Sequence, residues 1–480
     1  MRLFRRISVD YIIIAIVMIV ICVRLVSFGY LSSLAASNPT AHPYPVVAGD
    51  SIHYAQLGSN LLSFHAYQWD AGMPYRGAPP GYPALLAGTL AITGSMTPLV
   101  GIQILFAICA TILLYKMSRT LLSVPYAVAV TLVYALDPMT IFADTTLITD
   151  GFFSSFLICI VYFAFFWVSK REYVRWGLVG VFLGIATMIR PIAQFLILVF
   201  PAMYLLREWM SGMREDRSRI WAMCACVIGF VLVVSPWIAR NHTYFGSFEI
   251  SYLGSDNLLK NDARGFLAWR ALSQTDHPLP AILVMRHIND PIFQVLDKQI
   301  KTDLAQMTPP GGNPDNYEGR LAMRYILHDP IRYAYFHTVN TIPFFISSSV
   351  ATYGQTIRQL RTSEGFFAPT SLSLLNTVQH ILHPESLGAF IKAIYSIAPI
   401  ALEILWWVLV SLAALIATIL FRKNFVILLC ATLILYFAAL TGPMSASRYR
   451  IPAEPYLLIL AAMGTHVVVQ RIKEKLSRSV

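Results

Sequence analysis

The chain has 480 residues, of which 56% are hydrophobic and 13% charged, with a mean hydropathy of +0.60. Soluble domains average about 45–50% apolar and about 25% charged residues, so the composition excludes a soluble fold. The net charge of +11 sits in short clusters between apolar runs. It therefore reports membrane topology rather than nucleic-acid binding.

Apolar runs of about 20 residues can span a bilayer. They occur near 11–30, 98–117, 123–142, 147–169, 173–189, 191–206, 219–237, 396–421, 424–441 and 452–470. The pattern predicts an all-α polytopic protein of about ten transmembrane helices. The first run resembles a secretory signal, down to the small-residue SLAAS at 33–37. Its apolar core is too long for one, and it reads as an uncleaved first helix.

Basic clusters at MRLFRR, Lys116/Arg119, Lys170/Arg171/Arg175, Arg207 to Arg219, Arg422/Lys423 and 471–478 alternate correctly with those spans. Lys and Arg mark the cytoplasmic side of short loops, so both termini are expected inside. The chain then divides into a first transmembrane helix (1–30) and a first extracytoplasmic loop with interfacial helices (31–97). A transmembrane bundle (98–237), a large extracytoplasmic segment (238–395) and the C-terminal helices with a basic tail (396–480) follow. Together the two outer segments make a split, mostly helical domain. Residues 79–94 and 330–350 read as helices at the membrane interface. The six cysteines all lie in apolar runs, which predicts neither disulfides nor a thiolate metal site.

Several charges break the insertion pattern. Arg448 and Arg450 fall in a tight outer turn, TGPMSASRYRIP. Arg240 opens the long outer segment, Arg190 lies in an outer hairpin, and Arg76 lies in YRGAPPGYP. Charges near or within a membrane are functional candidates by default. Guanidiniums converging at one membrane face suit a phosphate, which they hold bidentately without losing charge. Arg76 and Arg240 read equally well as interfacial anchors beside aromatics. Among the acids, Asp137 precedes a proline and reads as a helix end, and Asp144 as a loop or cap residue. Asp150 heads a long apolar run, where an unpaired charge is costly. Asp50 begins the polar helical stretch SIHYAQLGSNLL. It suits either an N-cap or a general base.

A phosphate site at helix ends implies a lipid phosphate whose tail stays in the bilayer. A sugar carried on it leaves readily once arginine neutralises the phosphate. Asp50 would deprotonate an acceptor hydroxyl attacking the anomeric carbon, and one in-line displacement inverts the configuration there. Tyr449 joins the donor-phosphate candidates. Asp144 and His53 stand as candidates for a second acid or an acceptor contact. Neither a cofactor nor a catalytic divalent metal is expected, because His42, His53, His65 and His242 show no tight ligand spacing.

GDSIHYAQLGSNLL, APPGYPALLAG, TLITDGFFSSF, IRPIAQFLILVFP, SPWIARNHTYFGSF and ASRYRIPAEPYLLILAAMG together resemble the GT-C superfamily. Within it they look most like the protein O-mannosyltransferase and aminoarabinose transferase branch of polyprenyl-phosphate-sugar-dependent glycosyltransferases. The resemblance implies that Asp50 is the catalytic base and Asp150 the second acid. It implies that Arg448 and Arg450, with Arg240 and Arg190, contact the donor phosphate. Two positions depart from the pattern: Ser51 stands where a second acid commonly follows, and Ala78 where the aminoarabinose enzymes carry a basic residue. No WWDYG is present, against the oligosaccharyltransferase branch. The expected partners are membrane lipids, a polyprenyl-phosphate sugar and a lipid, glycan or protein acceptor. The expected setting is a bacterial inner membrane with the site facing the periplasm. Two other readings stay open: a transporter or flippase of a lipid-linked anion, and an O-antigen-ligase-type transferase using a lipid pyrophosphate.

Overall fold

The computed structural model describes residues 2–38, 44–46, 50–167, 171–212, 217–274, 278–285, 288–362 and 386–478. His42 lies outside them. The chain begins with α1 (Arg2–Ala36) and α2 (Asp50–Phe64), then a small antiparallel hairpin, β1 (Gln68–Asp70) and β2 (Met73–Pro74). Next come α3 (Gly81–Thr93), α4 (Pro98–Ser118), α5 (Val124–Leu136), α6 (Pro138–Thr145), α7 (Thr149–Phe165), α8 (Glu172–Ile189), α9 (Leu196–Met210) and α10 (Arg217–Phe245).

The polar segment that follows holds α11 (Leu253–Asn257), a π-helical turn (Leu258–Ala263), α12 (Arg264–Leu272), α13 (Ala281–Val284), α14 (Pro291–Met307), α15 (Glu318–His328), α16 (Pro330–Ile346) and α17 (Ser349–Thr362). The chain ends in α18 (Leu387–Leu420), α19 (Phe425–Thr441), α20 (Ser447–Arg450) and α21 (Glu454–Arg478).

Among the described residues, eight helices are long and apolar enough to cross a membrane. The ninth candidate is the α5–α6 pair, bent by 55°. Asp137 causes the bend with Pro138: its carboxylate caps α6, accepting from the Met139 and Thr140 amides at 2.9 and 3.0 Å. The span expected at 147–169 is a 17-residue helix, α7. It starts late because the chain breaks at Thr146–Ile148, and that break places Asp150 in the first turn of α7. The protein is an all-α polytopic membrane protein. Residues 79–94 form the short apolar helix α3. Residues 330–350 form α16 and the start of α17.

Close backbone approach fixes the bundle. On α8, a Cβ added at Gly180 would lie 1.9 Å from the Cys226 carbonyl oxygen of α10, and one at Gly229 would lie 2.3 Å from the Gly177 carbonyl oxygen. Small residues let membrane helices meet in this way, with packing in place of a hydrophobic drive. A Gly180→Leu variant is expected to lose most of its detergent-stable fraction in size-exclusion chromatography, whereas Gly101→Leu, at an open position, should elute like wild type.

The polar segment has its own apolar centres. One gathers Phe266, Phe293 and Phe336, the other Leu259, Ile300 and Leu321. Beside the second, Glu318 is buried among Asp256, Lys260, Asp315 and Arg76. Burial first, and then the Asp256 charge, push its pKa up to about 7. The native state therefore keeps a proton on Glu318 that the unfolded chain, with an ordinary pKa of 4.5, has already lost. Its stabilising contribution is full below the unfolded value and fades as pH rises through about 7. Thermal melts from pH 5 to 8 should show wild type losing stability over that window relative to Glu318→Gln.

Candidate active site

Four charged side chains from distant parts of the chain meet at one end of the bundle. The 3₁₀ turn Gly442–Met444 leads into α20, from which Arg448 reaches back to α7 and α2. Its Nε and Nη2 donate to Asp150 Oδ2 at 3.0 and 2.8 Å, and Nη2 also donates to Asp50 Oδ2 at 2.5 Å. Arg190, where α8 ends, donates from Nη1 to Asp150 Oδ1. The Arg190 guanidinium lies 5.9 Å from the Tyr449 ring centre.

The two acids differ in setting. Asp150 is fully buried, and both of its oxygens accept from guanidiniums. Asp50 has a side chain 49% exposed and meets one arginine there. Arg448 thus bridges a buried carboxylate and an open one. The charges of the four groups sum to zero, so bringing Asp150 into the apolar bundle is compensated locally.

Tyr54 was not singled out from the sequence. It stands four residues after Asp50 on α2, which puts the two on one helix face. Its hydroxyl lies beside Thr149 and within electrostatic reach of Asp50, Arg190 and Arg448. Burial, and then the Asp50 charge, raise its pKa to about 12, which keeps it a protonated donor at neutral pH. The helical spacing from Asp50 is the signal that could have found it.

The other candidates make their contacts elsewhere. Arg450 is fully buried, 3.7 Å from the Trp407 ring centre. It donates to the Phe344 and Ser347 carbonyls at 3.3 and 2.9 Å and to Ser349 Oγ at 3.3 Å. Those bonds hold the break between α16 and α17. Arg240 donates to the Tyr67 and Tyr75 carbonyls at 2.7 and 2.8 Å and lies 4.6 Å from the Trp237 ring centre, pinning the β-hairpin to α10.

Arg76 is buried beside the Phe245 ring at 5.0 Å, with Glu249 and Asp315 at 3.8 and 3.9 Å. His53 meets the edge of Trp69, ring centres 4.8 Å apart. Asp144 is neither in a loop nor a cap. It lies inside α6, buried, in an ion pair with Arg24 at 2.7 Å. Among the described residues, no group of three or more His, Cys, Asp or Glu side chains is placed to hold a metal ion.

Fold and site define a polytopic helical membrane protein with paired acids and arginines at its helix ends. Over residues 77–239, about a third of the chain, the sequence matches the family described as dolichyl-phosphate-mannose-protein mannosyltransferase, and this stretch bears out the family resemblance. It contains Asp150 and Arg190, while Asp50 and Arg448 lie outside it. No curated protein matches the sequence.

Two solved structures are similar. The archaeal oligosaccharyltransferase AglB from Archaeoglobus fulgidus, in complex with an inhibitory peptide and a dolichol-phosphate, is 11% identical with a TM-score of 0.49. It aligns over 98% of this chain and 52% of its own, so the protein spans about half of AglB. ArnT from Cupriavidus metallidurans, bound to undecaprenyl phosphate, is 13% identical with a TM-score of 0.37 and aligns over 94% of this chain and 77% of its own.

Proposed function

We propose that the protein is an inverting glycosyltransferase. It moves a sugar from a polyprenyl-phosphate donor to an acceptor hydroxyl at the extracytoplasmic face. The observation that carries this reading is the asymmetry of the two carboxylates. Asp150 anchors both arginines, while Asp50, half-exposed, is the one turned toward an incoming reactant.

The acceptor oxygen attacks the anomeric carbon. Its proton passes to Asp50 and the bond from that carbon to the phosphate oxygen breaks. The departing lipid phosphate takes up the electron pair and is neutralised by Arg448 and Arg190. Such a charge-stabilising clamp acts most strongly where negative charge develops in the transition state. Tyr54 adds a neutral donor at the same place.

The phosphate competes with Asp50 for Arg448, so donor binding itself releases the base. The family match over 77–239 supports the polyprenyl-phosphate class of donor. The basic clusters at the opposite helix ends, Lys116/Arg119 and Arg422/Lys423, support an extracytoplasmic site.

The test uses purified protein in lipid nanodiscs with the sugar carried on polyprenyl monophosphate or on polyprenyl pyrophosphate. Release of free lipid monophosphate with the anomeric configuration inverted in the product is the expected outcome. Turnover of the pyrophosphate donor alone would show a ligase-type enzyme. Sugar-lipid translocation without transfer would show a flippase.

A further inference from the structure

The buried pair Arg24–Asp144 takes no part in the chemistry above, although both of its side chains are fully buried. Arg24 lies in the membrane-spanning part of α1. Nε and Nη2 of Arg24 face Asp144 Oδ2 at 2.9 and 2.7 Å. Nη1 donates to the Ala135 carbonyl at 3.0 Å, where the bend after α5 leaves carbonyls without helical donors.

Gln103 of α4 does the same for the end of α6. Its Nε2 donates to the Asp144 and Thr146 carbonyls at 3.1 and 2.9 Å, and its Oε1 accepts from the Tyr82 hydroxyl at 2.6 Å. Asp144 Oδ1 then lies flush against Gly151, so close that a Cβ there would come within 2.4 Å of it. Gly151 is the residue after Asp150.

We infer that Arg24 and Asp144 are a positioning pair: they brace the break between α6 and α7 and so set the height at which Asp150 meets Arg190 and Arg448. A membrane helix carries a buried ion pair at a cost in desolvation. Here Arg24 closes the end of α5, Gln103 closes the end of α6, and the Asp144 carboxylate that Arg24 holds presses on the first turn of α7. A transition-state site displaced by about 1 Å can lose about 100-fold in rate.

The inference rests on the glycosyltransferase reading for its kinetic arm and stands without it for its structural arm. Arg24→Gln, Asp144→Asn and Gly151→Ala would be compared with wild type in nanodiscs. The last leaves both charges in place and displaces the contact of α7 with the end of α6, the Asp144 carboxylate and the Ala143 carbonyl together. Three readouts serve: kcat against KM for transfer, melting temperature, and backbone hydrogen exchange over 145–153.

The expected result is a fall of about 100-fold in kcat with KM within threefold, and faster exchange confined to 145–153, in Gly151→Ala as well as in whichever charge variant folds. Unchanged kcat and unchanged local exchange in Gly151→Ala would overturn it. So would exchange raised across the whole bundle with a matching loss of melting temperature, which marks a general structural role. A wild type that neither binds polyprenyl monophosphate nor transfers sugar would defeat the glycosyltransferase reading alone; the exchange pattern would still decide the bracing.

Discussion

Asp50→Asn is expected to fold, to reach the membrane and to bind polyprenyl monophosphate, while its transfer rate falls about 1,000-fold, within the range for loss of a general base. Asparagine keeps the shape and still offers a carbonyl oxygen to Arg448, so the bridge seen at 2.5 Å has a neutral replacement. The amide cannot take the acceptor proton. Because Asp50 is half-exposed and Asp150 still pairs with Arg448, its neutralisation costs little, and the melting temperature should stay close to wild type. Transfer assays beside lipid-binding titrations read both halves. Near wild-type transfer by the variant would remove Asp50 from the chemistry. Loss of lipid binding would make it a residue that shapes the start of α2.

Arg448→Gln is expected to do more damage by a different route. Asp150 has two guanidiniums and Asp50 has one in common with it. Removing Arg448 leaves the fully buried Asp150 to Arg190 alone and Asp50 unpaired. Breaking a buried pair from one side typically costs about 3–5 kcal/mol, so the variant should melt lower as well as lose donor binding. Arg448→Lys should not rescue, because a single ammonium cannot span two carboxylates as a planar fork does. Arg190→Gln makes the comparison: it removes one of two partners from Asp150 and none from Asp50. It should weaken donor binding less and leave Asp50 engaged. Equal effects of Arg190→Gln and Arg448→Gln on lipid binding would contradict the bridging role given to Arg448.

Much of this arrangement was readable in the chain. Runs of apolar residues marked the spans, because hydropathy and length alone decide what can cross a bilayer. Arg448 stood out because it lies where insertion disfavours a cation, and Asp150 because it heads an apolar run. Both violations reflect one ion cluster that closes over 298 residues of sequence.

Other features were not readable. Arg24 sits in a long apolar run, and its partner lies 120 residues on; nothing local links them. Arg450 shares its turn with Arg448 but turns inward to backbone carbonyls, a difference that depends on one short helix, α20. Arg76 and Arg240 read as donor-phosphate candidates or as anchors beside aromatics; both pack against aromatic rings, away from the Asp50–Asp150–Arg190–Arg448 cluster. The span at 147–169 came out shorter, because the Thr146–Ile148 break takes its first two residues and the helix stops at Phe165.

The glycine contacts between α8 and α10 have a mechanical consequence for the ion cluster. With Gly180 and Gly229 against opposing carbonyls, the two helices form one stiff plate, and Arg190 is fixed to its rim. Arg448 hangs instead from the short turn between α19 and α21. Asp150 is thus gripped by two jaws on separate mounts, one on the α8–α10 plate and one on α20, which Arg450 ties to the Phe344 and Ser347 carbonyls.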